Sequence, residues 1–70
     1  MDQLEQADLI RRLFAVLTAM LEDGAAVAVE GQGPHEALAY VALAERIRSV
    51  GEQAAVIAEA AAAFASQKTQ

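Results

Sequence analysis

Cysteine and tryptophan are missing from this sequence, proline occurs once, and the aromatic residues are two phenylalanines and one tyrosine in 70 positions. Without cysteine there can be no disulfide and no zinc site of the thiolate type. Its absence also fits a reducing compartment. Basic residues are scarce, with five Lys and Arg against ten Asp and Glu, for a net charge of −5. That balance opposes binding to nucleic acid phosphates, which relies on lysine and arginine. It equally opposes docking on an anionic membrane surface. Long apolar runs are missing too. The longest uncharged one, Leu13 to Leu21, lies between Arg12 and Glu22, well short of the ~18–20 residues of a spanning helix. Asp2 and Glu5 at the start are unlike a secretory signal or transit peptide. The expectation is a soluble, cytoplasmic protein.

What is present is alanine, roughly a quarter of the chain, far above ordinary usage. Apolar residues reach 56%, yet mean hydropathy is only +0.26. Seventy residues make at most one small domain, and a chain of this size buries only about 60% of its unfolded surface. With disulfides excluded, self-association is the remaining way to enlarge the core.

The stretch "DQLE" at residues 2–5 reads as a capping box, with Asp2 as N-cap. Ile10, Leu13, Leu17, Met20 and Val27 then follow at spacings that suit a helix, broadened by Leu9, Phe14, Val16 and Leu21. Gly24 interrupts this face. Val27 stays in phase beyond it, so helix one is expected over about 3–30 in preference to a break followed by an extended "AVAV".

"EGQGPHE" at residues 30–36 contains the only proline and the only histidine. Gly31 suits a left-handed position that ends helix one. Gly33 and Pro34 suit the N-cap and first position of a second helix, with Glu36 in its first turn. Turn chemistry therefore explains the stretch as a bend at 31–34. A phosphate cradle would need GxxxxGK[ST], or GxGxxG between a strand and a helix, and neither is present. His35 with Glu30 and Glu36 follows no metal-ligand spacing. Ser49 and Ser66 have no base nearby, and Glu22–Asp23, being consecutive, cannot share one site. His35→Ala is expected to be nearly silent for folding. No enzyme activity, cofactor or metal is expected.

Helix two is expected over about 35–66, with a polar tail at 67–70. Tyr40, Leu43, Ile47, Val50, Ala54, Ile57, Ala61 and Phe64 form an unbroken heptad seam. Glu45, Glu52 and Glu59 repeat every seven residues on the solvated side. Ala44, Gly51, Ala58 and Ala65 repeat every seven on one flank of the seam, and together with Ala54 and Ala61 they make a ridge of small residues. This ridge is expected to let the helices approach closely, so that Gly51→Leu or Ala58→Leu would disturb the packing. Cross-helix ion pairs are expected from Arg12 to Glu52 or Glu59, and from Glu22 to Arg46.

A joint of a few residues implies an all-α antiparallel two-helix hairpin, as a single domain. Its apolar stripes are wider than one partner helix covers, so assembly as a dimeric four-helix bundle is expected. The candidate interface comprises Leu9, Phe14, Val16, Leu21, Val41, Ile47, Gly51, Ala54, Ala58 and Ala61, with Val56 also left partly exposed. The functional expectation is a small acidic protein–protein interaction module of the adaptor, co-chaperone or anti-activator type. It would bind itself as a homodimer, or another helical protein. The alternatives are an RNA- or DNA-associated regulatory hairpin dimer, which would need a basic or aromatic stripe with Arg46 and Arg48 as its anchor, and a metal-assisted enzyme at the bend.

Overall fold

The structure, a computed structural model, describes residues 2–67. Two helices, α1 (Gln3–Glu30) and α2 (Ala37–Ser66), pack against each other as a hairpin. Asp2 caps α1: its Oδ1 accepts the Glu5 backbone N–H at 2.8 Å. Gly24 does not interrupt α1, which runs through it to Glu30. The reason lies in the packing. A Cβ built on Gly24 would lie 3.4 Å from Val50 Cγ1, so the Val50 side chain packs where α1 lacks one. The polar tail lies outside the described residues from position 68 onward, and α2 ends at Ser66, where Gln67 forms the C-cap.

The inner face of α1 carries Gln6, Ile10, Leu13, Leu17, Met20, Gly24 and Val27, a strict alternation of three and four. Leu43, Val50, Ala54, Ile57, Ala61 and Phe64 face it from α2. Val27, Leu43 and Ala61 form the buried apolar core, at 8%, 9% and 3% exposure. Two seam positions depart from expectation. Tyr40 and Ile47 lie at the edge of the seam and remain exposed. Tyr40 leaves the seam because its hydroxyl has backbone partners in the bend, described below.

The ridge of small residues also differs from expectation. A Cβ on Gly51 would meet nothing within 4 Å, and Ala44, Ala58 and Ala65 are exposed. Of the ridge, Ala54 and Ala61 lie in the seam, where with Gly24 they leave room for the facing helix, while Ala44, Gly51, Ala58 and Ala65 flank it outside the contact.

The hairpin is thin. Its extents are 52 × 15 × 13 Å and its radius of gyration is 16.2 Å, against about 11 Å for a compact domain of this length. Its accessible surface is 5214 Å², whereas a compact monomer of 7.4 kDa would expose about 4,200 Å². The surplus is about 1,000 Å². No large side chain among the described residues is fully enclosed.

Candidate interaction face

The bend is longer than the sequence suggests, because α2 begins at Ala37. Gly31 has φ −67°, and no glycine has positive φ, so α1 does not end through a left-handed residue. It ends by tightening: Gln32 N–H donates to the Val29 carbonyl and Gly33 N–H to the Glu30 carbonyl, each three residues back. Glu36 holds the N-cap position of α2 in extended conformation without a side-chain cap. Gly33 and Pro34 consequently precede the helix and do not start it.

Tyr40 and His35 lock this segment. Tyr40 Oη donates to the Gly33 carbonyl at 2.8 Å and accepts the His35 backbone N–H at 3.1 Å. His35 Nε2 lies 2.7 Å from the Glu30 carbonyl, which fixes the Nε2–H as donor. The two rings meet edge to face, 5.2 Å between centroids. His35 thus gives the Glu30 carbonyl, which already accepts the Gly33 N–H, a second donor. It precedes α2 and bonds within the bend, and is not the first-turn residue expected. Among the described residues, no group of three or more His, Asp or Glu is placed to hold a metal.

Gln6 was not foreseen as a structural residue. It is buried in the seam, and its Nε2 donates to the Phe64 carbonyl. That bond ties the start of α1 to the end of α2. A lone glutamine among acids in a first turn carries no sequence signal of burial; only its three-to-four spacing from Ile10 and Leu13 could have marked it.

Charge pairing is more local than expected. Arg12 binds Asp8 at 2.9 Å within α1, and Arg48 binds Glu52 at 3.2 Å within α2. The cross-helix pair is Arg46 with Glu30, at 3.8 Å. Arg12 pairs with an acid one turn away instead of Glu52 or Glu59, and Arg46 pairs with Glu30 instead of Glu22. Arg46 and Arg48, two apart on a helix, face different sides and form no joint anchor.

The Arg46–Glu30 pair identifies one flank of the hairpin. Asp23 lies on the same flank, along an open groove that reaches Ser49 and Val50. The other flank, across the seam, carries Phe14 and Leu21 from α1 with Gly51 and Ala58 from α2. Ile47 borders it from the seam, whereas Val41, which helical periodicity sets at the same angle as Glu59, belongs to the outer side of α2. Phe14, Leu21 and Val41 are 57%, 60% and 58% exposed. The contacts Gly24–Val50 and Gln6–Phe64 fix the register. In that register Phe14 is level with Ala58, and Leu21 with Gly51.

Five of the ten expected interface residues, Phe14, Leu21, Ile47, Gly51 and Ala58, are therefore gathered on one face. Leu9, Ala54 and Ala61 are drawn into the hairpin's own seam, half-buried or buried. Val16 is exposed on the Asp23 side, apart from the five, and Val41 and Val56 on α2 are exposed outside that face as well.

Among the described residues, no helix is long and apolar enough to cross a membrane. Comparison with protein-family models, with curated proteins and with solved structures returns no match, so the reading of this face rests on its own geometry and chemistry.

Proposed function

We propose that this chain is a small acidic protein–protein interaction module that works by completing a helical bundle, the assembled form being a dimeric four-helix bundle. It belongs functionally with adaptors, co-chaperones and anti-activators: its task is binding, without catalysis, cofactor, nucleic acid or membrane, in the cytoplasm. The observation that carries this reading is the gathering of Phe14, Leu21 and Ile47, all exposed, on one face of the hairpin. A face of this kind supplies affinity through apolar anchors at helical spacing, while charges at its margin select the partner.

The test is circular dichroism followed through serial dilution, with sedimentation equilibrium over the same range. Helicity that falls as an assembly dissociates, or a lone chain that is only partly helical, supports the reading. A monomer that stays fully helical and melts cooperatively at the lowest concentration would refute it, because such a hairpin needs no cover.

A further inference from the structure

We propose that the occupant of this face is a second copy of the chain, lying alongside the first with both bends at the same end. The proposal rests on the interaction reading above and adds the partner, the face and the orientation.

Three observations converge on it. The first is area. The hairpin exposes about 1,000 Å² more than a compact monomer of its mass, and a stable interface takes about 800 Å² from each partner. One further copy absorbs the surplus.

The second is charge. Helical periodicity places no acidic residue of either helix on this face, although the chain carries ten. The acids of α1 and α2 lie on the outer side, as Glu45, Glu52 and Glu59 do, or on the opposite flank, as Asp23 and Glu30 do. Two chains of net charge −5 repel wherever acids meet. This is the one long face on which two copies can touch without opposing carboxylates.

The third is shape. A two-fold axis parallel to the helices, lying in the interface, sets α1 of each copy against α2 of the other at the same height. Phe14 then lies over the partner's Ala58, and Leu21 over the partner's Gly51. Large side chains meet small ones at both levels, and the open space beside Gly51 is filled. Every neighbouring helix pair in the resulting bundle is antiparallel. Turning the second copy end for end would set Phe14 against Leu21 and Gly51 against Ala58. The two helix pairs would then have unequal separations.

The experiment is sedimentation equilibrium on the wild type, Leu21→Glu, Gly51→Leu and Val56→Glu, combined with energy transfer between labels on a cysteine introduced at Gln32 in the bend. The natural chain has no cysteine, so labelling is specific. The wild type is expected to be a dimer. Leu21→Glu and Gly51→Leu are each expected to raise its dissociation constant at least about 100-fold, since every dimer holds two copies of the contact. Val56→Glu, on another face, is expected to leave dimerisation unchanged. Gly51→Leu strengthens helix propensity and has room in the single hairpin, so loss of dimer there cannot be ascribed to a weakened helix. Labels at the two bends are expected to transfer energy efficiently.

A dimer indifferent to both face variants would overturn the face. Bend labels separated by a distance near the 52 Å length of the hairpin would overturn the orientation. A wild type that stays monomeric would overturn the second copy as occupant. In that case a partly helical monomer leaves the interaction reading standing, with another protein as partner, whereas a cooperatively melting monomer removes both.

Discussion

Replacing Gly24 with alanine is expected to stabilise the hairpin, and the size of the effect follows from two terms. Gly24 is inside α1, six residues before its end. Glycine there costs about 1 kcal/mol relative to alanine, because the unfolded chain loses more freedom at that position. The added Cβ would meet Val50 Cγ1 at 3.4 Å, an ordinary contact that requires no movement of α2. Burying a methyl is worth up to about 0.8 kcal/mol, and this half-buried site yields about half of that. The sum is a gain of about 1–1.5 kcal/mol, with roughly 4–8 °C in melting temperature per kcal/mol for a chain of this size. Gly24→Leu adds three more carbons to the same gap. Overpacking costs about 1–3 kcal/mol, which cancels or exceeds the helix gain. The assay is urea and thermal unfolding by circular dichroism at one fixed chain concentration, because association shifts the midpoint. A lower midpoint for Gly24→Ala would show that the helices are closer at Val50 than the contact distance implies. A rise for Gly24→Leu as large as that for Gly24→Ala would show that Gly24 does not face α2 at all.

Gln6→Ala is expected to cost about 0.5–1.5 kcal/mol, the net worth of one hydrogen bond, since the Phe64 carbonyl keeps the Gln67 N–H as a donor. Hydrogen exchange should then speed up at the amides of the last turn of α2; unaltered exchange there would disconnect Gln6 from that end. Tyr40→Phe removes both hydroxyl bonds of the bend while keeping the ring, and should cost about 1 kcal/mol with faster exchange at the His35 amide. An unchanged midpoint and exchange rate would mean that the bend holds without them.

The seam was legible because a three-to-four alternation admits one geometry: a helix packed along a stripe. The continuation through Gly24 was legible for the same reason, since Val27 keeps the phase beyond it. The bend was legible as a break, but its chemistry was not. Glycine and proline suggested a left-handed stop and a proline start, whereas the chain uses tightened turns and a tyrosine hydroxyl seven residues from its acceptor. That link depends on where α2 returns, which local pattern does not encode. Gln6 was hidden because a polar side chain in a first turn is ordinarily solvated. The ridge of Ala44, Gly51, Ala58 and Ala65 was visible as a repeat, but repetition alone cannot say which neighbour it meets. The hairpin packs on the adjacent stripe and leaves this one open.

The arrangement of charge gives that open stripe a further consequence: assembly should stop at two. An apolar face repeated on both sides of a hairpin would let copies stack without limit, as heterologous contacts do. Here the second flank carries Asp23 and the Glu30–Arg46 pair, and the outer sides carry Glu22, Glu45, Glu52 and Glu59. Once two copies close on the acid-free face, every remaining surface is acidic or mixed, and the pair bears twice the charge of one chain. A third copy would have to set its carboxylates against theirs, because the apolar residues left exposed there, such as Val16, Val41 and Val56, stand among acids. In the proposed dimer the alanine-rich stripe would supply the contact, and the acids on the other sides would limit the number of chains that share it.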